Sequence, residues 1–501
     1  MQKSKLQLKI QNYLPLFLFI LILAIAAFFR LYRIREYITF LGDEGRDVLV
    51  VKRMIVDRKF TLLGPITSVG SMYMGPVYYY FMVPFLWLSK FDPVGPAIMV
   101  VIFSLLTIYL IYKISSEYFK SKIPGFISGF LYAISPLPII YGRSSWNPNI
   151  VPFFSTLIIY SILKVIISKK AIWLLVAGLA LGILLQLHYV TFMFLPILAA
   201  IFILFRPKIP LKYYLSGVFC FLLSYSPFIF FELRHEFVNT NSLLRFLWQQ
   251  KNESPFNIFS LWQTVSDIAV RLFWRLPVVY SAEYAKLLLL VLVILLFFIL
   301  KKQAKGDIKK SLFLILIWLI VGIFSYGLYR GVVYDYYLAS LFVVPYLLLG
   351  FIIYWLWIYS PKGKALGLIT FILLVIFNLN KSPLKITPNN LVENTKSIAK
   401  FVFDKVEDKP YNFALIAGKN SDHAYRYFLE VWGNAPVTIE NLVNDPVRTT
   451  VTNQLFVICE EKICQPLGHP LWEIAGFGMA EIVGQWNVST AKVFKLVHVK
   501  S

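Results

Sequence analysis

Four charged residues that could do chemistry follow the first long apolar run of the chain. The segment TFLGDEGRDVLVVKRM, Thr39–Met54, carries Asp43, Glu44, Arg46 and Asp47. Half-buried charged groups beside a membrane cost free energy, so two adjacent carboxylates at this position indicate a functional role. A carboxylate held near an arginine can act as a general base that takes a proton from a hydroxyl. Asp43 and Glu44 are therefore candidate catalytic residues; the alternative is that Asp43 or Asp47 only caps the following helix.

Further polar residues lie at the predicted ends of later apolar runs. Because arginine makes bidentate contacts with phosphate oxygens, Arg234 is predicted to bind a phosphate, and Arg46 is a further candidate for that role. Membrane-interface anchoring is the alternative for Arg234 and His235, and a hydrogen-bonded structural histidine is the alternative for His188. The candidate substrate-binding residues are Tyr73, Arg143, Asn147, His188, His235 and Asp335.

The composition indicates an all-α polytopic membrane protein. Of 501 residues, 58% are hydrophobic, and apolar runs of membrane-spanning length recur, which predicts about eleven helices. The net charge of +23 would suggest nucleic-acid binding in a soluble protein. Here the basic residues form short clusters between apolar runs, so they indicate topology, and no nucleic-acid partner is predicted. The predicted spans are near 14–32, 94–114, 125–141, 151–168, 171–187, 190–205, 213–231, 284–300, 311–328, 337–358 and 364–380.

The basic clusters predict the orientation. They fall on one side of the predicted spans, which places the N-terminus in the cytoplasm and residues 33–93, 232–283 and the tail outside it. The expected location is the cytoplasmic (plasma) membrane. Residues 1–380 are predicted to form the transmembrane domain, and residues 381–501 a soluble extracytoplasmic domain.

Two outer segments have internal structure of their own. In the first outer loop, RDVLVVKRMIVDRKFTLLGP and GPVYYYFMVPFLWLSKFDP read as helices that lie in the membrane interface. In the tail, VENTKSIAKFVFDKV and DHAYRYFLEVWG read as helices, and YNFALIAG and NQLFVICEE as strands. The tail is therefore predicted to be a small α/β domain.

The chain has three cysteines. Cys220 lies inside an apolar run and is predicted to be a buried thiol. Cys459 and Cys464 form a single pair in the tail, for which a local disulfide is favoured over a zinc site because the tail is predicted to be extracytoplasmic.

The segments GDEGRDVLVVKRM and YMGPVYYYFMVPFLWL resemble a known family. They are similar to the GT-C glycosyltransferases, the integral-membrane group that includes protein O-mannosyltransferases and the lipid A aminoarabinose transferase. That group has a D-E pair soon after the first transmembrane helix, followed by interfacial helices. The resemblance extends over roughly residues 14–350, including WLLVAGLALGILLQLHYV and the stretch FELRHEFVNT, which favours a prokaryotic member.

The resemblance assigns expected roles. It implies that Asp43 is the catalytic carboxylate and that the donor is a sugar on a polyprenyl phosphate, with Arg330 as a counter-charge for the phosphate. The sequence differs from some members of that family at Met74 and Gly75, where those members carry a His or a Glu. No metal is therefore predicted at this position. A divalent cation near Asp43 and Glu44 is left open.

The expected function is transfer of a sugar from a polyprenyl-phosphate donor to an extracytoplasmic acceptor hydroxyl, with inversion at the sugar and Asp43 as general base. The acceptor is a protein, a lipid or a glycan. The alternatives are a lipid-linked glycan polymerase or ligase, and a polytopic transporter or lipid flippase. Transport is disfavoured because paired spans interrupted by Gly or Pro, which are typical of transporters, are not found.

Overall fold

The structure is a computed structural model that describes residues 2–67, 72–253, 257–329 and 331–499. Arg330, which was predicted to bind phosphate, lies outside the described residues. The described chain is mostly helical and divides into two compact units. The α-helices, in chain order, are α1 Gln2–Leu31, α2 Ile34–Tyr37, α3 Gly42–Val56, α4 Val77–Leu88, α5 Val94–Tyr118, α6 Lys122–Ile134, α7 Pro136–Tyr141, α8 Val151–Ile166, α9 Trp173–Leu187, α10 Phe194–Phe205, α11 Leu211–Arg234, α12 Val238–Glu253, α13 Ile258–Phe273, α14 Ala282–Phe298, α15 Gly306–Gly327, α16 Val344–Tyr359, α17 Pro361–Asn380, α18 Leu391–Lys405, α19 His423–Val431 and α20 Trp472–Ala475.

The chain is an integral membrane protein. Among the described residues, 7 helices are long and apolar enough to cross a membrane, or 8 if the bent pair Asp335–Leu341 and Val344–Tyr359 is one span. Three further predicted spans coincide with the shorter apolar helices Lys122–Ile134, Trp173–Leu187 and Tyr189–Phe205. The count of about eleven therefore stays a prediction.

The first unit, called the helical unit, comprises Met1–Tyr32, Thr61–Tyr78 and Ile98–Thr387. Its membrane helices pack closely where side chains are small. A Cβ on Gly178 of α9 would lie 2.0 Å from the carbonyl oxygen of Gly217 in α11. The buried Arg30 of α1 donates to Ser104 Oγ at 2.7 Å and to the carbonyl of Ala133 at 3.0 Å. Buried charge in this unit is thus held by hydrogen bonds to neighbouring helices.

Helix α11 corrects one prediction. Cys220 was expected to be buried, but it is partly exposed. The reason is that α11 packs against its neighbours along a narrow stripe. Only 6% of the residues in its most apolar stretch are buried inside the protein. The remaining side chains of such a helix are free to contact lipid.

The second unit, called the tail unit, comprises Arg33–Phe60, Tyr79–Ala97 and Pro388–Ser501. It joins two segments of the first loop to the C-terminal tail in one compact body. The predicted helices of the first loop are present as α3 and α4, and those of the tail as α18 and α19. The predicted boundary at residue 380 stays a prediction.

A four-stranded sheet forms the core of the tail unit. Its strands are β1 Asn412–Ile416, β2 Gln454–Cys459, β3 Ala480–Val488 and β4 Ala491–His498, in the order β1-β2-β4-β3. Strands β1 and β2 pair in parallel and every residue of both is buried, which explains their continuous apolar sequences. These two strands confirm the prediction from sequence. The antiparallel hairpin of β3 and β4 was not predicted, since every position of β3 is exposed or only half-buried.

The two tail cysteines, Cys459 and Cys464, are joined by a disulfide. It closes the turn that leaves β2.

Candidate active site

Helix α3 carries the acidic cluster of the first loop. One face of this helix is apolar and buried through Val48, Leu49, Val51 and Met54, which is the pattern of an amphipathic helix packed on a core. Asp43 lies in its first turn, where the positive end of the helix dipole favours negative charge. The local sequence therefore presents the carboxylates at a helix start.

Arg46 joins two carboxylates of α3. Its Nη1 lies 2.9 Å from Asp43 Oδ1, and its Nη2 lies 2.8 Å from Asp47 Oδ1. The Asp43 side chain is 58% exposed, whereas that of Asp47 is completely buried. One guanidinium thus links a carboxylate that can meet a substrate to one that cannot.

Asp47 is anchored from a second helix. Tyr79 of α4 donates its hydroxyl to Asp47 Oδ1 at 3.0 Å, and Arg46 Nε donates to the same oxygen at 3.0 Å. Within the described chain, Asp47 Oδ2 is buried with no hydrogen-bond partner. Burial raises the pKa of Asp47 to about 6, and the charge of Arg46 opposes that rise. The buried Asp47, fixed by Tyr79, therefore holds the guanidinium of Arg46 in place.

Glu44 has a different environment from Asp43. It is buried, and its Oε2 accepts the backbone N–H of Leu41 at 3.0 Å. Burial raises the pKa of Glu44 to about 7. The structure thus gives Glu44 a capping contact at the helix start, whereas Asp43 and Asp47, the alternative caps considered from sequence, are both turned to Arg46. Of the adjacent pair, only Asp43 is open to a substrate.

A second charged group lies in the helical unit. Asp335 accepts from Arg271 Nη2 at 2.6 Å and from Arg275 Nε at 2.8 Å. Arg271 also donates to the carbonyl of Val333 at 2.8 Å, whereas the Arg275 side chain is half exposed. Sequence reasoning missed both arginines. The signal that could have found them is their spacing of one helical turn in VRLFWRLP.

His188 lies beside the helical turn that begins at Asp335. The His188 ring lies 5.3 Å from the ring of Tyr337 and 5.7 Å from that of Tyr336. Its Nδ1 accepts the backbone N–H of Val190 at 3.2 Å, so the imidazole also caps the turn that follows it. Trp146 packs on the same cluster, 4.5 Å from Tyr336. The structure therefore brings together His188 and the segment that holds Asp335.

Two of the other predicted substrate contacts, Asn147 and Tyr73, are hydrogen-bonded to the residues on either side of His188. The carbonyl of Tyr73 accepts the hydroxyl of Tyr189 at 2.7 Å. The buried Asn147 donates to the carbonyl of Leu187, and Arg143 is also buried. Tyr73 has an exposed side chain, and its backbone N–H donates to Asn239 Oδ1 at 2.8 Å.

Two more of the predicted contacts lie at the end of α11. Both Arg234 and His235 are exposed there, and the ring of His235 stacks on Phe231 at 4.1 Å. They lie outside the cluster around His188.

An apolar cleft lies among α8, α9, α10 and α11. Its volume is about 460 Å³, and a smaller cleft of about 260 Å³ adjoins it through Phe192 and Tyr225. The smaller cleft contains Glu232, which is buried and accepts from Asn239 Nδ2 at 3.0 Å and from Thr240 Oγ1 at 2.6 Å. The smaller cleft thus adds the carboxylate of Glu232 to a largely apolar surface.

Within the described residues, no group of three or more His, Cys, Asp or Glu side chains is arranged to hold a metal ion. The expectation of no metal stays a prediction.

Part of the chain matches a known family, and its fold is similar to that of a solved structure. Residues 74–231 match the family described as dolichyl-phosphate-mannose-protein mannosyltransferase. No curated protein matches the sequence. Among solved structures, ArnT from Cupriavidus metallidurans bound to undecaprenyl phosphate is similar with a TM-score of 0.65 at 11% identity, covering 95% of this chain and 97% of that one. The archaeal oligosaccharyltransferase AglB from Archaeoglobus fulgidus, in complex with an inhibitory peptide and a dolichol-phosphate, gives a TM-score of 0.49 at 11% identity, covering 89% of this chain and 70% of that one.

Proposed function

The chain has the fold of the GT-C membrane glycosyltransferases, and on that premise we propose that it transfers a sugar from a polyprenyl-phosphate donor to an acceptor hydroxyl. The proposed general base is Asp43. The observation that carries the proposal is that Asp43 is exposed and yet held, since its carboxylate contacts Arg46, which is in turn held by the buried Asp47.

The proposed reaction is a single displacement at the sugar. Asp43 takes the proton of the acceptor hydroxyl as the acceptor oxygen forms a bond to the anomeric carbon of the sugar. The bond between that carbon and the phosphate oxygen breaks, and its electron pair leaves with the polyprenyl phosphate. Because the acceptor attacks opposite the leaving phosphate, the sugar is inverted. Arg46 keeps the carboxylate aimed, so that the base needs little reorganisation during the step.

The leaving phosphate needs positive charge. Arg271 is paired with both Asp335 and Asp267, whereas Arg275 is half exposed and, among the described carboxylates, pairs with Asp335 alone, so Arg275 is proposed as a contact for the donor phosphate. Arg234 and Arg330 keep the same proposed role from sequence. Arg46 is proposed to act on Asp43 rather than on the phosphate, because two carboxylates already occupy its guanidinium.

The donor lipid needs an apolar surface. The cleft among α8, α9, α10 and α11 is lined almost wholly by apolar side chains, as a prenyl chain requires. The likeness in fold to ArnT, whose structure contains undecaprenyl phosphate, supports a lipid phosphate as the donor carrier. Transfer is proposed to occur on the extracytoplasmic side of the membrane, and His188, Asn147 and Asp335 to contact substrate.

The test is sugar transfer by the purified full chain in lipid vesicles. A panel of radiolabelled polyprenyl-phosphate monosaccharides is offered with protein, lipid and glycan acceptors. We expect Asp43→Asn to lower kcat by two or more orders of magnitude, the scale of general-base catalysis. The matched control is Asp57→Asn, since Asp57 is an exposed carboxylate at the other end of α3.

Two results would contradict the proposal. If Asp43→Asn transferred sugar as fast as Asp57→Asn, Asp43 would not be the base. If no donor gave transfer while labelled lipid moved between the leaflets of the vesicle, the protein would be a flippase.

A further inference from the structure

The start of α3 is capped by a residue from the far end of the chain. Asn420 Oδ1 accepts the backbone N–H of Gly42 at 2.8 Å, across 378 residues of sequence. Gly42 is the first residue of α3, and Asp43 is the next. We propose that Asn420 is a positioning residue for Asp43, which makes the tail a working part of the active site. This inference rests on the proposed function.

The helix cannot cap this N–H by itself. The first N–H groups of an α-helix have no partner within the helix, and Ser, Thr, Asp or Asn at the preceding position normally accepts one of them. Here the preceding residue is Leu41, whose side chain has no acceptor. Asn420 supplies the missing oxygen from the loop between β1 and α19.

The amide of Asn420 is itself fixed in orientation. Its Nδ2 donates to Glu460 Oε1 at 2.9 Å and Oε2 at 3.1 Å, so its Oδ1 must point to Gly42. Glu460 is held in turn by the hydroxyl of Tyr425 at 2.7 Å. Oδ1 also accepts the N–H of Ser421 at 2.9 Å. The cap is therefore one end of a chain of hydrogen bonds anchored in the tail.

Two glycines let α3 approach the tail closely enough for this contact. A Cβ on Gly45 would lie 2.3 Å from the backbone nitrogen of Ala424, and one on Gly42 would lie 1.9 Å from Ser421 Oγ. The contact at Gly45 is with backbone, which cannot rotate away as a side chain can. The absence of side chains at Gly42 and Gly45 therefore allows α3 to lie directly against the start of α19.

The other end of α3 is tied to the same helix. Glu430 near the end of α19 pairs with Lys52 Nζ at 3.1 Å and with Arg53 Nη2 at 2.7 Å. Just before α3 begins, Phe40 packs on Phe428, with ring centroids 5.6 Å apart. Helix α3 is therefore held at both ends by α19 and the loop before it, which leaves Asp43 little freedom to move along or across the helix axis.

The residues that cap α3 lie at one edge of the sheet in the tail unit. Asn420 follows β1 and Glu460 directly follows β2, so both lie at the carboxyl ends of parallel strands. In α/β folds that edge is where ligands bind. In this tail unit, the edge holds the start of α3.

Loss of the cap should act on the chemical step. A displacement of about 1 Å in a catalytic group can lower a rate by roughly 100-fold, while groups that only bind substrate are unaffected. We expect Asn420→Ala to lower kcat by about tenfold or more, with KM for the donor within about twofold of the wild-type value.

The experiment compares three variants of the full chain in lipid vesicles, with kcat and KM measured for each. Asn420→Ala removes the acceptor. Asn420→Asp keeps an acceptor oxygen at the same distance from the backbone and loses the donation to Glu460, so it should recover part of kcat. Asn444→Ala is the matched control, because Asn444 is an exposed tail asparagine that also donates to a glutamate, Glu440, at 3.2 Å.

The outcomes separate the two proposals. If Asn420→Ala kept the kcat of Asn444→Ala while Asp43→Asn was inactive, the positioning role would be wrong and the proposed function would stand. If Asp43→Asn were fully active, the proposed function itself would fail. Should Asn420→Ala not accumulate as folded protein, Glu460→Ala serves instead, since it removes the acceptor that orients the Asn420 amide and leaves Asn420 in place; an unchanged kcat there would equally overturn the role.

Discussion

Arg46 lies against the buried Asp47, with its Nη2 2.8 Å from Asp47 Oδ1. An ion pair at this depth needs hydrogen bonds as well as charge, and Tyr79 provides one of them. The Nη1 atom of the same guanidinium lies 2.9 Å from Asp43 Oδ1. An exposed carboxylate is in this way oriented by a buried one.

Removing the buried carboxylate should weaken both stability and activity. In Asp47→Ala, Arg46 and Tyr79 lose the buried oxygen that they share and Arg46 keeps only the exposed Asp43, and each buried donor left unpaired costs about 1–3 kcal/mol. We expect a lower midpoint of thermal unfolding and at least a tenfold lower kcat. Tyr79→Phe is the milder companion, because it removes one hydrogen bond worth about 1 kcal/mol. Equal midpoints for wild type and Asp47→Ala would show that Asp47 does not anchor Arg46 in the folded protein.

The stability of the protein should depend on Glu44 and pH. Burial raises the pKa of Glu44 to about 7 from its ordinary 4.5, so the folded state binds this proton more tightly than the unfolded state. The free energy of unfolding therefore falls as pH rises from about 4.5 through about 7. Glu44→Gln should remove that decline and be more stable than wild type above pH 7, by roughly 3 kcal/mol at 1.4 kcal/mol per pKa unit.

The measurement is the thermal midpoint of both proteins across this range of pH. Asp47, whose pKa is raised to about 6, contributes a similar decline at lower pH in both proteins. A constant difference between wild type and Glu44→Gln from pH 5 to pH 8 would contradict the prediction.

A methyl group on Gly45 should separate α3 from α19. Alanine is favoured over glycine inside a helix by about 1 kcal/mol, so an isolated α3 would be stabilised by Gly45→Ala. Here the added Cβ would meet the backbone of Ala424 at 2.3 Å, and overpacking typically destabilises by about 1–3 kcal/mol. We expect faster proteolysis of the tail and a lower kcat. Gly418→Ala is the control, since its Cβ would meet nothing closer than Glu461 Oε1 at 3.9 Å.

The cation at Asp335 should affect donor binding more than chemistry. Arg275 is the more exposed of the two arginines on this carboxylate, so Arg275→Ala removes positive charge while Arg271 still holds Asp335. We expect KM for the polyprenyl-phosphate donor to rise about tenfold, in line with a charge-assisted hydrogen bond worth about 1.5–3 kcal/mol. Arg245→Ala is the control, because Arg245 is an exposed arginine of α12 that contacts Asn241 and Ser242 rather than a carboxylate. An unchanged KM for Arg275→Ala would remove Arg275 from the donor site.

Much of the fold could be predicted from sequence, because each feature rests on neighbouring residues. Long apolar runs predict membrane helices, and the buried strands NFALI and QLFVIC are visible as continuous apolar stretches. The hairpin of β3 and β4 was missed, since its first strand is largely exposed and has little apolar signal. The single cysteine pair was close enough in sequence for the disulfide to be expected.

The sequence by itself determined that Asp43, Glu44, Arg46 and Asp47 share the start of one helix, because a helix places residues three and four apart on the same face. Only the tertiary structure decided which of these carboxylates is exposed, since burial depends on what packs over the helix. The same is true of Asn420 and Gly42, which meet across 378 residues. Local propensity and hydropathy carry no information about such a pair, because the contact exists only after the sheet of the tail has brought its loop to the start of α3.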